Sequence, residues 1–538
     1  TTPTAYDTGK ILSVKPVQTY GPELITNGDF ATDSDWNKTG TWIISNGNAT
    51  STGNLSTQYI GQNPNINIGT SYKISYNVIS NTLSADRFLM SGTSAFASTQ
   101  IPSTIGHNSI ILEANSVSSS GYSIRFANSG TNTSGFITID NVSVKEVFNA
   151  DFDFSRNSSA TRVGSNGLIQ DVASNLPRID YTGGVGSWKF EPQRTNIIEY
   201  SENFSQSFWS LSGTGSLITA NTTTAPNGLQ SASTLTLAGV GYIGLAKTTN
   251  LTETFSFFVK YSNSPWVFIE GFDGADKGAW FNIQTGNIGS TSGGATANIE
   301  EAANGFYRCS ITATFTGATT FALFQTISNG SFTRANGDVI IWGAQLEVGS
   351  YPTSYIRSNS GSATTRLADV ANNAGSSDLI NSTQGVLYAE INTFIADGNY
   401  RLIGISDGTT SNEVVIGYRY DTGKIYYFIT VGGIPQSFQI SEITSINTFL
   451  KVALKYKQND FAFWVNGVEV LTDTSGITFP SETLNNLNFD RGNGTFPFFG
   501  NVKSVAVFKE ALTDLELECL VSWMSFSDLG INFGYTVE

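Results

Sequence analysis

Apolar and polar side chains alternate along most of this chain in short runs punctuated by Gly, Asn, Ser and Asp. Tyr72-Lys-Ile-Ser-Tyr-Asn-Val-Ile79 and Phe136-Ile-Thr-Ile-Asp-Asn-Val-Ser-Val144 carry the period of two expected of half-buried strands. Trp42-Ile43-Ile44, Ser109 to Leu112 and Tyr122 to Phe126 read the same way. Together they predict an antiparallel β-sandwich over 24–147, with one polar face per sheet. A second all-β module is expected over 197–357 and a third over 385–524. The third includes Val386 to Ile391, Tyr400 to Ile405, Glu413 to Tyr418, Lys424 to Ile429, Leu450 to Tyr456 and a hairpin turning at Asn466-Gly467. Thr513 and Glu516 form a capping box that opens one short helix, running through Leu520 and as far as Met524. The fold class expected is therefore all-β, in tandem sandwiches, with a single helix near the C-terminus.

The second module repeats the first. Asn27-Gly-Asp-Phe30 followed by Trp36 is echoed by Glu202-Asn-Phe204 followed by Trp209. Ile139-Asp-Asn-Val-Ser-Val-Lys-Glu-Val147 is echoed by Ile340-Ile-Trp-Gly-Ala-Gln-Leu-Glu-Val348. An internal duplication is expected, with Trp36 and Trp209 structural in both copies and Trp342 structural in the second. Between the modules, 1–23 reads as an anchoring arm, 148–196 as an arginine-rich connector, 358–384 as a Ser-, Ala- and Asn-rich linker and 525–538 as a tail.

Charge narrows the function. Only 13% of residues are charged, and 28 Lys and Arg face 43 Asp and Glu for a net −15. Such a surface repels phosphate backbones and anionic lipid, so neither nucleic acid nor a membrane is an expected partner. No stretch approaches the ~18 apolar residues of a membrane span, and the N-terminus has no basic-then-apolar leader pattern. Cys309 and Cys519 fall in no metal or redox spacing and are expected as small buried hydrophobes.

The connector is the densest ionic stretch. It carries Arg156, Arg162, Arg178 and Arg194 among Asp151, Asp153, Asp171, Asp180, Glu191 and Glu199. Its Asn166-Gly167 signals a hairpin, with both residues able to take positive φ. The ordered series Ser155-Arg-Asn-Ser-Ser-Ala-Thr161, Gly167-Leu-Ile169, Asn175-Leu-Pro-Arg-Ile-Asp-Tyr181, Glu191-Pro-Gln-Arg-Thr-Asn196 and Tyr200-Ser-Glu-Asn-Phe204 resembles a connector of tailed-bacteriophage tail-fibre and other virion surface proteins. The sandwiches 24–147 and 197–357 resemble jelly-roll carbohydrate-binding modules. Asn304 to Cys309, Trp342 to Glu347 and Pro352 to Ile356 carry that likeness in the second copy. Phe461 to Gly467, Phe499 to Phe508 and Ala511-Leu-Thr-Asp514 resemble a laminin-G-like, concanavalin-like lectin sandwich.

These resemblances imply a virion structural protein: a homotrimeric tail fibre or receptor-binding appendage that adheres to host surface polysaccharide. It would dock on other virion proteins through the N-terminal arm, and the arginines of the connector would pair between modules or protomers. A neck, collar or capsid-decorating fibre without a host ligand, and a polysaccharide depolymerase, are the rival readings.

Sugar recognition stacks CH faces on aromatic rings and pairs hydroxyls with Asp, Asn and Gln. Trp266, Phe272 and Trp280 flank the polar loop holding Asp273 and Asp276 and have no counterpart in the first module; these five, with Tyr400, are the glycan-binding candidates. Asp397, Asn399, Tyr400, Asp407 and Asn412 occupy strand ends where Ca²⁺ could be held by oxygen ligands; no other metal or cofactor is expected. Catalysis is not expected. The single histidine, His107, lacks a nucleophile-elbow partner, and the closest carboxylates (Glu300 with Glu301, Asp273 with Asp276, Glu516 with Glu518) lie in turns or on diverging helix positions.

Overall fold

Alternation becomes sheet. In the strand Ser71–Asn81, Tyr72, Ile74, Tyr76 and Val78 are buried while the residues between them are not. A computed structural model of the chain describes residues 6–11, 19–52, 58–68, 70–83, 88–90, 95–96, 99–115, 122–128, 135–148, 151–394, 398–444 and 448–522. Lys15–Asn149 is one compact unit; Thr1–Val14 with Ala150–Glu538 is the other. All pairing between named strands is antiparallel, and the α-helix among the described residues is Asp514–Ser522, capped as expected by reciprocal Thr513 and Glu516 hydrogen bonds. The tail 525–538, like Met524, lies outside the described residues.

The smaller unit is one sandwich. One sheet runs Gly106–Glu113, Ser71–Asn81, Phe136–Phe148, Asn48–Thr52, Ile43–Ser45; the other runs Asn37–Lys38, Tyr59–Gln62, Ile124–Asn128, Phe88–Met90. The second sandwich repeats both orders strand for strand. Phe306–Thr314, Thr252–Tyr261, Gly337–Val348, Gln230–Leu237 and Leu217–Thr224 form one sheet, and Ser210–Leu211, Ile243–Thr249, Gly317–Thr326 and Trp266–Phe272 form the other. Asp276–Asn282 and Asn287–Ser292 extend the second of these sheets, and Thr296–Ala302 extends the first.

Details of the backbone show the same duplication. The Trp36 indole donates to the Asn27 carbonyl and that of Trp209 to the Tyr200 carbonyl, both 2.9 Å and both nine residues back. Each copy has a one-residue bulge in its long central strand, centred on a residue in the left-handed region: Asn141 at φ 51° and Gly343 at φ 60°. The next amide donates to Gly28 in one copy and Ser201 in the other. Aligning the two bulges makes Val144 equivalent to Leu346, so the sequence echo was one residue out of step. A bulge hides such a slip because the apolar alternation shifts with it.

The third sandwich pairs a five-stranded sheet (Ile434–Thr444, Lys424–Val431, Glu413–Tyr418, Arg401–Ser406, Asn486–Asn488) with a seven-stranded one. Five of the seven are Gly500–Phe508, Gln384–Thr393, Leu450–Lys457, Phe461–Val465 and Val468–Asp473; the other two, Ile179–Asp180 and Ser187–Phe190, come from the presumed connector. Phe152, Phe154, Trp188 and Phe190 join that sandwich's core, with Ala371 and Ala374 of the presumed linker and Ile11 of the presumed arm. Tyr6–Asp7 and Lys10–Ile11 form a hairpin that pairs with Phe152–Ser155, which in turn pairs with Val370–Asn372. Residues 6–11 of the arm, the connector from Asp151 and the linker are therefore folded parts of the larger unit, whereas Thr19–Tyr20 of the arm pairs with Val147 and Phe148 in the smaller one. Their small and charged residues disguised this, because their burial depends on partners roughly two hundred positions away.

The two expected Asn-Gly turns differ. Asn466 and Gly467 both take positive φ (47° and 82°) between the paired Val465 and Val468, a two-residue hairpin turn. At the other, only Gly167 is left-handed, and Val163 pairs with Ile169 across a longer loop.

Candidate functional site

The connector arginines separate into two kinds. Arg156 and Arg178 are 1% exposed. Asp369 accepts from Arg156 Nη1 at 2.9 Å, from Arg178 Nη2 and from the Glu191 amide at 2.9 Å. Glu191 Oε2 lies 2.7 Å from Arg178 and 2.8 Å from Arg366, and Ser354 donates to Glu191 from both its amide and its hydroxyl. Burial alone would raise the Glu191 carboxyl, but Arg366 and Arg178 hold it well below the usual range. Burial alone would lower Arg178, and Asp369 and Glu191 more than reverse that. This node ties the connector to Ser354 at the end of the second sandwich and to residues 366 and 369 of the presumed linker. Arg162 and Arg194 are half-exposed; Arg194 Nε approaches Glu347 only to 3.9 Å. Linker composition concealed Arg366 and Asp369, which sequence reasoning passed over.

Tyr400 belongs to a built surface. In the five-stranded sheet Ile403, Ile405, Val414, Ile416, Tyr427 and Ile429 face the core, so alternation sends Leu402, Val415, Tyr426 and Phe428 to the opposite face. Tyr400 packs there against Tyr420, Tyr426 and Phe496 at ring distances of 4.9, 5.6 and 5.3 Å. Phe438 stands directly across from Phe428 and is 54% exposed; Phe496 is 40% and Tyr420 38% exposed. Arg491 lies over Phe428 and grips Glu413 with two hydrogen bonds, 3.0 and 2.8 Å. Phe496 holds φ at 56°, a conformation that costs an aromatic residue about 1–3 kcal/mol. Its carbonyl accepts from the Leu402 amide, which fixes that backbone in place. The outcome is a sheet face floored by rings, with a charged pair at its edge.

The second-module candidates do not converge. Trp266, Phe272, Asp276 and Trp280 share one face of the hairpin, but Trp266 pairs with Asn282 and Phe272 with Asp276, placing the two rings at opposite ends, about 20 Å apart at 3.3 Å per residue. Trp280 is 3% exposed, packed on Phe268 and Phe332, with its indole donating to the Ser331 carbonyl. It is a core residue, because the segment before Gly337 folds over this sheet. Trp266 is half-buried, and Asp273 is engaged by Lys277 at 2.7 Å and the Thr316 amide at 2.9 Å. Unforeseen from the sequence, burial, with the Asp276 carboxylate nearby, pushes the Glu270 carboxyl up to about 8; burial likewise lowers nearby Arg334 to about 10.

The loop proposed for Ca²⁺ spends its oxygens internally. Asp407 accepts from the Thr409 amide and hydroxyl and from Asn412, at 2.6–2.8 Å. Asp397 lies outside the described residues, and no cluster of three metal-ligating side chains occurs among them. His107 is exposed and meets Asn77 at 3.2 Å. Glu300 and Glu301 pair with Arg308 and Tyr307 as successive strand residues, so they point to opposite faces. Cys309 is buried, whereas Cys519 is half-buried on the helix, correcting the expectation that both are core residues.

No protein-family model matches the chain, and no curated protein matches it. Among solved structures, it is similar to a native heptameric SAP-like pentraxin from Limulus polyphemus: 16% identity, 29% of this chain and 81% of that one, TM-score 0.23. It is also similar to the Ruminococcus gnavus IT-sialidase CBM40 bound to alpha2,3 sialyllactose, at 17% identity, 28% and 94% coverage and TM-score 0.24. Domains LG4-5 of the mouse laminin alpha1 chain match at 10% identity, 62% and 93% coverage and TM-score 0.20. Scores this low carry no functional weight, and the β-sandwich class rests on the sheets described above.

Proposed function

We propose that this chain is an adhesive appendage of a tailed-bacteriophage particle that binds host surface glycan through the outer face of its third sandwich. The observation that carries the reading is the ring-floored face around Tyr400, with Phe438 and Phe496 presented to solvent beside the Arg491–Glu413 pair. Pyranose CH faces stack on such rings, and the partly exposed Arg491 guanidinium at their edge, held in place by buried Glu413, can donate to hydroxyls. The virion assignment is supported by the connector motifs, and with it come a homotrimer, docking to other virion proteins and a location on the particle surface. Three tethered copies raise avidity ~10²–10⁴-fold over one weak site.

Binding of the purified chain to bacterial cells and to their surface polysaccharides, compared with Phe438→Ala, tests the proposal. Wild-type binding that the variant weakens severalfold supports it; equal binding by both overturns it. Release of new reducing ends would favour a depolymerase instead. A light-scattering mass near three times 57.7 kDa is the result expected for a trimer.

A further inference from the structure

A cleft of about 1310 Å³ runs between the second and third sandwiches, roofed by the hairpin 160–172 and the segment 180–189. It exceeds the ~300–1,000 Å³ of pockets that take one drug-sized molecule, so it has room for several linked sugar rings. One wall is the outer face of the sheet formed by Thr252–Tyr261, Phe306–Thr314 and Thr296–Ala302. The inward positions Phe255, Phe257, Cys309 and Ile311 are core, so alternation turns Thr254, Thr312 and Thr296, then Ser256, Ser310 and Asn298, to the other face; of these Thr296, Asn298 and Thr312 are open to the cleft, while Thr254, Ser256 and Ser310 are buried. Rows lie about 6.8 Å apart along the strands and neighbours ~4.8 Å across them.

The opposite wall brings Asn392, Asn501 and Lys503, with the rings of Phe394 and Phe449. Asn392 Oδ1 accepts from the Asn501 amide and side chain at 3.1 and 3.0 Å, while Asn501 Oδ1 has no hydrogen-bond partner among the described residues. Across the cleft Arg308, 7% exposed, donates to the Thr353 carbonyl at 2.6 Å, yet its Nε is likewise without a partner. Hydroxyl groups match the chemistry of this lining, since each can donate to an amide oxygen or accept from an amide or an ammonium group. Charge argues against an acidic ligand: Lys189 pairs with Asp180 at 3.0 Å and Lys503 with Glu390 at 3.4 Å, while Glu300 stands exposed on the wall.

We infer that this cleft binds a neutral polysaccharide along its length, several sugar residues at a time. The inference rests on the glycan reading above, but its site is separate from the ring-floored face. The test is calorimetric titration of the full chain with neutral gluco-, manno- and galacto-oligosaccharides of two and six residues, and with an alginate hexamer. At least one neutral hexamer is expected to bind about tenfold or more tightly than its dimer. Asn298→Ala and Asn501→Ala are each expected to weaken it roughly five- to tenfold, as one lost hydrogen bond would; Asn298→Ala should leave Tm unchanged, whereas Asn501→Ala also loses its bond to Asn392 and should lower Tm slightly.

Phe438→Ala is expected to leave that length dependence intact. If Phe438→Ala removes all binding while the cleft variants bind normally, the ring-floored face stands and the cleft inference is overturned. Binding by no neutral hexamer, equal affinity for dimer and hexamer, or a preference for alginate also overturns it.

Discussion

Replacing Arg178 by alanine should be among the most destabilising single changes in the larger unit. The guanidinium is 1% exposed and donates from Nη1 to Thr161 O at 3.1 Å, Glu191 at 2.7 Å and Ser354 Oγ at 2.8 Å, and from Nη2 to Asp369. Breaking a buried ion pair from one side costs about 3–5 kcal/mol, because the surviving charge is left without its counterion. Here each carboxylate keeps one guanidinium, Arg156 for Asp369 and Arg366 for Glu191, which places the expected loss at the lower end, ~3–4 kcal/mol.

At roughly 2–4 °C per kcal/mol for a cooperative unit of 150–250 residues, Tm should fall about 6–16 °C in scanning calorimetry. Lys424→Ala is the control. Its partner Glu442 is 88% exposed, and such pairs are worth ~0–1 kcal/mol. Arg194→Ala belongs with the control, since Glu347 already accepts from Gln345 and twice from Thr353. A Tm for Arg178→Ala within about 3 °C of wild type would refute the claim that the node holds the sandwiches together.

Acid should weaken the same node. Glu191 has a depressed pKa in the folded chain, so its contribution is present above the unfolded value of about 4.3 and is lost as pH falls through the folded one. Tm should drop between about pH 5 and pH 3, and the Glu191→Gln variant, already less stable, should show a flatter dependence over that window. On the ring-floored face, Phe438→Ala should weaken glycan binding roughly 2- to 12-fold, the worth of one stacked ring, while Tm stays unchanged; a Tm loss above about 3 °C would make the ring structural. Phe496→Asn places a residue tolerant of the left-handed region at φ 56°, so thermal stability should hold or rise as glycan binding falls. Trp280→Ala should cost about 3–5 kcal/mol by core truncation, and urea denaturation should detect it; a stability close to wild type would return Trp280 to the list of sugar-stacking residues.

Read alone, the amino-acid order determined what is local. Period-two alternation marked the strands of all three sandwiches, Thr513 and Glu516 marked the helix start, and Asn466-Gly467 marked a two-residue turn. The duplication was legible as repeated Trp and strand signatures, although a bulge shifted the register by one. Tertiary structure decided everything that depends on which distant strands meet. Arg156 and Asp369 are 213 positions apart, and Arg178 and Asp369 191, so no local window shows that these charges neutralise one another out of water. Trp266, Phe272 and Trp280 looked alike as aromatics around a polar loop, yet cross-strand pairing sent them to opposite ends and buried one of them. Tyr400 became part of a site only when three strands and the loop carrying Phe496 converged on one face. Strand and turn propensity is written in neighbouring residues; burial, pairing and a binding face are properties of contacts between segments far apart in the chain.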